Sequence, residues 1–509
     1  MFERRRAHIG VGATIAAGAM IIAGVTGPAQ AAIPVDSQAL RDAVSAEGII
    51  EHLEAFQAIA EANANNRAAG TSGHVASAEY VESQLQAAGY DTWRQEFSYD
   101  KTIVDTAVLA QTAPGDVTYE YGVDYIEMDF ASEDDVTAAV TAVDINLEGD
   151  RASTSGCEDE DFAAFPSGNI ALIQRGTCTF REKAENALQA GATGVIIFNQ
   201  GNVSETEDRE GLLFGTLDPP IFPLPVVGAT FALGAELAAI EGLTMRLAFE
   251  AHTETVNTFN VLADSEGRTD RTVVVGGHLD SVLEGPGIND NGSGTAAILE
   301  TAIQMAELGI EPVNRVRFAF WSGEEDGLIG SDYYVAQLTK KEIKDHAVNL
   351  NFDMVGSPNA VRFVYDGDGD AFGTKGPTGS SVVEEVFVEY FASQGLASEP
   401  TAFDGRSDYF GFIENGIPAG GLFSGAEDIK SAEQAAIYGG TAGAPYDPCY
   451  HQACDDITNI DPVVLEQMAD AIAHATLTFA MTSSAIPGTG KGKAVGTTDL
   501  QFKGNKALK

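Results

Sequence analysis

Against 29 Lys and Arg, the 509 residues carry 75 Asp and Glu, a formal net charge of −46. This excludes a nucleic-acid binder, because a phosphate backbone is met by a basic face; it points to a solvated acidic surface, with a salt-rich habitat or extra cation sites as alternatives. The length allows about three domains, and a hydrophobic fraction of 44% supplies an ordinary core.

In chain order, Arg4-Arg5-Arg6, the apolar stretch Ile9–Val25 and Ala29-Gln30-Ala31 have the charge, hydropathy and small-residue pattern of a secretory signal peptide, residues 1–31. The remaining chain is expected to be secreted and extracellular, with no membrane association after signal removal; an uncleaved anchor is the alternative. No later apolar run is long enough to cross a bilayer. Residues 36–89 read as helical: Ala46–Ala62, a loop over 66–73, then a helix over Ser77–Ala88 that stops at Gly89. His74 is read as a plain loop residue. Residues 92–99 alternate like a strand.

From Phe130 to Ala251 short alternating strands are separated by acidic loops. The stretch GNIALIQRGTCTFREKAENALQAGATGVIIFNQ orders a buried strand, a turn, an amphipathic helix, Gly191 and a second buried strand. It resembles the core of the protease-associated (PA) domain. That resemblance implies a non-catalytic, β-rich α+β insert over 131–251 that contacts protein substrate or covers an active-site mouth. The cysteines number four. In an exported chain they favour two disulfides, and proximity pairs Cys157 with Cys178 and Cys449 with Cys454. Neither pair has the spacing of a thiolate zinc site.

From Val256 the texture is α/β. Strands are legible at Thr272–Gly276, Arg315–Trp321, Ala347–Asn351 and Val361–Tyr365, and helices at Gly294–Leu308, Ser331–Leu338, Ser380–Gln394 and Pro462–Thr482. Their alternation argues an α/β fold with a mostly parallel central sheet flanked by helices. Residues 483–509 are Gly/Lys-rich and read as a flexible tail.

The chemistry-bearing residues fall where these strands end. His278 and Asp280 close a β-branched run, and Asp290 follows a Gly/Pro loop. Glu324 and Glu325 follow Phe-Ala-Phe-Trp-Ser-Gly, Asp353 ends a strand, and Tyr450 and His451 lie between Cys449 and Cys454. Carboxyl ends of parallel strands are where such sheets build sites, and these residue types bind zinc or move protons. Singly, each has an ordinary structural reading. As an ordered set they resemble the secreted dizinc aminopeptidases of streptomycetes and vibrios and, with the insert, the aminopeptidase Y type.

The resemblance implies the zinc exopeptidase fold, discontinuous over 32–130 and 252–482, and two zinc ions. His278 and Asp353 would hold one, Glu325 and His451 the other, and Asp290 would bridge them through a cis bond to Asn291. Asp280 would fix the His278 ring, Glu324 would be the general base, and Tyr450 would stabilise the oxyanion. By the same resemblance Arg406, in Gly405-Arg406-Ser407-Asp408, contacts substrate, and Phe423 lines an apolar side-chain pocket. The implied activity is removal of apolar N-terminal residues from peptide or protein N-termini by a monomer. A carboxypeptidase or dipeptidase on the same fold is the alternative, and an inactive binding protein is a more distant one. Some relatives also bind a structural calcium, at a position this sequence does not mark. Asp366-Gly367-Asp368-Gly369-Asp370 starts like a calcium loop, but Ala371 and Pro377 break the pattern, so it reads as an acidic turn.

Overall fold

The computed structural model describes residues 35–202, 209–217 and 220–482. The expected signal peptide and tail lie outside the described residues. Strands β1 (Thr92–Ala113), β2 (Val117–Thr118), β3 (Tyr125–Glu127), β4 (Asp134–Val143), β5 (Ile170–Gln174), β6 (Gly194–Phe198) and β7 (Val226–Ala229) make up the first half of the chain. They are followed by β8 (Thr244–Asp264), β9 (Arg268–His278), β10 (Asn314–Trp321), β11 (His346–Phe352), β12 (Phe363–Tyr365), β13 (Glu399–Thr401) and β14 (Ala419–Phe423).

The half of the sheet away from the insert runs β13-β12-β14-β11-β9-β10-β8. Its centre, β14-β11-β9-β10, is parallel, and β12 and β8 run antiparallel on either side. The strands form here because apolar residues occupy both faces. Val273 and Val275, Val316, Phe318 and Phe320, and Val348, Leu350 and Phe352 enter one core. Val274, Ala319 and Trp321 enter a second on the opposite face. Strands buried on both sides are what helical cover of a parallel sheet requires. Helices Ala46–Ala62, Ser72–Ala87, Gly294–Glu307, Ser380–Ser393 and Pro462–Met481 pack on the first core. Helix Ile329–Gln337 and the short helix Phe410–Glu414 pack on the second. β9, β10, β11 and β14 therefore end along one edge.

Two readings of the sequence are corrected here. His74 is not in a loop, because its helix starts at Ser72. Thr71 caps it, its Oγ1 accepting the His74 N–H at 3.4 Å, and Gly73 permits the tight approach: a Cβ there would lie 2.1 Å from the Asn66 carbonyl oxygen. The buried His74 ring lies against Phe259, and burial, helped by Arg67 and Arg94, lowers its pKa to about 3. The strand expected over 92–99 is only the start of β1, which pairs with β8 from Thr92–Ala263 to Ala113–Thr244 as a long antiparallel ribbon.

The insert continues from that ribbon. β4 lies antiparallel on β8, and β4-β5-β6-β7 are parallel. β3, upstream of residue 131, pairs with β7, so the insert's sheet also uses residues before that boundary. Helices Phe180–Gln189 and Phe231–Ala239 cover its two faces. Both expected disulfides, Cys157–Cys178 and Cys449–Cys454, are formed.

Leu350 is fully buried in the central strand β11. Leu350→Ala should lower stability by about 2–5 kcal/mol in denaturant unfolding, through lost transfer energy and a residual cavity. A loss well under 1 kcal/mol would mean that the site collapses freely.

Candidate metal centre

The strand ends converge. His278 closes β9, Glu324 and Glu325 follow β10, and Asp353 follows β11. Asp290 arrives on the kinked turn Ile288–Ser293, and the Asp290–Asn291 bond is cis. His451 comes from the Cys449–Cys454 loop with a left-handed backbone, φ 55°.

Asp290 faces both rings. Its Oδ1 lies 3.2 Å from His278 Nε2 and its Oδ2 lies 3.2 Å from His451 Nε2. Asp353 Oδ1 is 3.4 Å from His278 Nε2, and Glu325 Oε2 is 3.0 Å from His451 Nε2. Glu324 stands further back, its Oε2 4.0 Å from His278 Nε2. His278 Nε2, Asp353 Oδ1 and Glu325 Oε1 are buried without a hydrogen-bond partner. An unsatisfied buried polar atom costs about 1–3 kcal/mol. Several such lone pairs converging, oxygen and nitrogen without thiolate, make a donor set that fits divalent cations.

The charges respond to one another. Burial pulls the His278 ring down, but Asp353, Glu324 and Asp290 reverse that and leave its pKa well above the ordinary value. His451 is raised in the same way by Glu325 and Asp290. Burial pushes Asp290 up, yet the two rings that face it hold it well below the usual carboxylate range. Glu324 is driven well upward by burial; His278 opposes the shift, while Asp353 and Glu325 add to it.

Supporting contacts fix the set. His278 Nδ1–H donates to the Asp280 backbone carbonyl at 3.0 Å, which leaves Nε2 facing the centre. The sequence reading gave that task to the Asp280 carboxylate. The carboxylate instead lies 3.8 Å from the ring nitrogen and accepts the Glu324 N–H at 3.4 Å, tying the Glu324 loop to the end of β9. Burial raises the Asp280 pKa to about 7.

Ser407 Oγ donates to Asp353 Oδ2 at 2.6 Å and accepts from Asn351 Nδ2 at 2.8 Å. The Asp455 carboxylate accepts the backbone N–H groups of Asn289 (2.9 Å) and Asp290 (3.0 Å), and Asp447 accepts from Asn289 Nδ2 at 2.6 Å. These carboxylates bracket the disulfide loop, so that loop is docked on the turn carrying Asp290. Tyr450 stacks on His451, ring centroids 3.8 Å apart. Arg406 donates to Tyr450 Oη at 3.1 Å and to Glu427 at 2.7 Å.

An open cleft brings Asp290, Glu324, Glu325, Asp353 and His451 together with Tyr450, Arg406, Phe423, Met354 and Ala426. Every predicted site residue outside the two cysteine pairs therefore lies in this cleft or directly behind it. Ser407 and Asp408 were missed although they adjoin Arg406 in the same motif. Asp408 is buried, and burial raises its pKa to about 8, with His278 opposing and Asp353 and Asp280 adding. Asp447 and Asp455 were signalled only by flanking the cysteines, and Glu427 had no local signal. Elsewhere Asp366, Asp368 and Asp370 gather with Glu384 from a following helix. The Asp366 carboxylate there accepts backbone N–H groups from Gly369, Ala371 and Phe372.

Residues 260–476 match Peptidase family M28, and residues 136–237 match the PA domain. The chain is 47% identical over 446 residues to an aminopeptidase of Pseudomonas aeruginosa, covering 87% of this chain and 82% of that one. Its fold is similar to that of an aminopeptidase from Aneurinibacillus sp. strain AM-1 (TM-score 0.66, 26% identity, 88% of this chain and 97% of that one). It is also similar to BSAP, a zinc aminopeptidase from Bacillus subtilis (TM-score 0.63, 26% identity, 88% and 98% covered).

Ser407→Ala removes the donor that orients Asp353. Zinc affinity, measured by chelator competition, should fall by roughly tenfold or more, the usual cost of losing a ligand's own hydrogen-bond partner. Unchanged affinity would show that the Ser407 bond does not orient the carboxylate.

Proposed function

This chain belongs to peptidase family M28 as an aminopeptidase with a PA domain, and from that premise we propose a secreted enzyme that uses two zinc ions to remove apolar N-terminal residues from peptides. The peptidase body comprises 32–130 and 252–482, with the insert over 131–251. The observation that carries the zinc pair is Asp290, whose two oxygens each face a different histidine. The zinc aminopeptidase of B. subtilis supports the choice of metal.

In this reading His278 and Asp353 would hold one ion, Glu325 and His451 would hold the other, and Asp290, with one oxygen toward each histidine, would contribute to both. The ions, when bound, supply Lewis acidity toward water and the peptide carbonyl. Asp290, Glu325 and Asp353 contribute three negative charges to that centre. Glu324, set back from the ligands, takes a proton from the attacking water and returns it to the leaving amine. Tyr450 donates to the carbonyl oxygen as charge develops there. The acidic cleft receives the substrate's N-terminal ammonium, and Phe423, Met354 and Ala426 line a pocket for an apolar side chain. Arg406, expected at the substrate, acts through Tyr450: its N–H occupies a lone pair of the phenol oxygen and leaves the phenol hydrogen for the substrate.

A carboxypeptidase would need a free cation for the substrate carboxylate. Arg406, the cleft's guanidinium, is engaged by Glu427 and Tyr450. The two disulfides support an extracytoplasmic setting.

Zinc-loaded protein should release leucine from a leucine anilide and leave an N-acetylated peptide intact while accepting a C-amidated one. The reverse preference would establish a carboxypeptidase, and no turnover on any substrate would leave a binding protein. Glu324→Gln should keep both zincs while losing about 10²–10⁴ in kcat; near-full activity would remove Glu324 as the base.

Metal binding should also report the protonated histidines. Both rings have pKa values raised without metal by the carboxylates around them, and filling the sites must displace the protons they hold. Apparent zinc affinity should therefore rise with pH and fall as acid reloads the rings. Calorimetric titration in buffers of different ionisation enthalpy should show proton release on filling the sites, and its absence would contradict this.

A further inference from the structure

The loop from Leu279 to Gly287 must carry the chain from His278 to Asp290, and a side chain from far upstream holds it. Arg67 lies in the turn between helices Ala46–Ala62 and Ser72–Ala87 and is fully buried. Its guanidinium donates from Nε to the Pro286 carbonyl at 2.9 Å, from one terminal nitrogen to Gly287 at 2.6 Å, and from the other to Leu279. Its backbone N–H donates to Ser281 Oγ at 2.9 Å. Both ends of the loop and two residues inside it, Ser281 and Pro286, are thus bound to a single residue. Gly287 takes φ +61°, and a Cβ there would lie 2.4 Å from the Asp290 carbonyl oxygen and 3.3 Å from the guanidinium. The exit toward Asp290 is pressed against Arg67.

Every partner of this guanidinium is a neutral carbonyl. A buried cation without a contacting anion is destabilising by itself. Burial lowers the Arg67 pKa to about 10, and Asp280, Asp455, Asp290 and Glu325 oppose that shift. Arg67 remains a cation behind the acidic centre, with the Phe56 ring 5.0 Å from its guanidinium carbon.

We propose that Arg67 is a positioning residue of the metal centre: by clamping the Leu279–Gly287 loop it sets the spacing between His278 and Asp290, and it lends the centre a fixed positive charge. The proposal rests on the two-zinc reading. Three diverging carbonyls match the planar fork of arginine, and a lysine ammonium keeps the charge without that fork. Arg67 touches neither ligand side chain, so it acts through the loop.

The test uses the full chain and Arg67→Lys, with Leu85→Ala as a packing control: Leu85 is fully buried in the same core and makes no bond to the loop. Zinc affinity is read by chelator competition, stability by thermal unfolding, and kcat and KM on a leucine anilide at saturating zinc. Arg67→Lys should lose roughly 10–100-fold in zinc affinity and in kcat, with KM little changed. Leu85→Ala should lower the melting temperature while binding zinc like the parent. Parental zinc affinity and kcat in Arg67→Lys would overturn the proposal. So would equal losses of zinc in both variants at equal loss of stability, which would mean general packing. If Arg67→Lys does not fold, Ser281→Ala loosens the same loop, and its unaltered zinc affinity would overturn the proposal. An unaltered chain that neither binds zinc nor releases leucine would count against the peptidase reading instead.

Discussion

The structure depends on holding negative charge out of water at one point. Asp280, Asp290, Glu324, Asp353 and Asp408 are all buried there, with Glu325 beside them. Two histidines do not balance them. Burying a carboxylate costs several kcal/mol even after relaxation, so a chain that builds such a cluster does so for what the cluster binds. The opposed directions of the pKa shifts express the same constraint: rings are driven to keep protons, Glu324 is driven to take one, and Asp290 between the rings is driven to stay ionised.

The scaffold meets this constraint mostly with neutral donors. Asp455 receives two backbone N–H groups, Asp353 a serine hydroxyl, and Asp447 an asparagine amide. Such bonds fix direction without adding counter-charge that would compete with a metal. The parallel strands contribute the rest by ending along one edge, so residues distant in sequence arrive together on short loops. The insert is joined to this body through β8, which pairs with β10 on the peptidase side and with β4 on the other.

The residues of the buried cluster and the central strands were legible because each lies in a short motif beside an apolar run. The strand expected over 272–276 and that over 315–321 fall inside β9 and β10. The residues that orient the ligands were harder to see. Ser407 matters because Asp353 lies opposite it in space, and Glu427 because Arg406 reaches it; neither relation has a sequence period. His74 was misread because Gly73 looked like a loop residue, when its missing side chain is what lets the helix start against Asn66. The Asp280 side chain was given the wrong partner because spacing alone does not separate a carboxylate from the backbone carbonyl of the same residue.

The ribbon of β1 and β8 has a bearing on how the chain assembles. β1 leaves the ribosome long before β8, and their pairing is non-local, the kind that pays loop-closure entropy before contacts repay it. Between them lies an insert with hydrophobic clusters of its own. Once folded, it would replace a long floppy connection with a preformed turn and bring the two strands into register. The insert would then act as a folding splint for the enzyme that carries it.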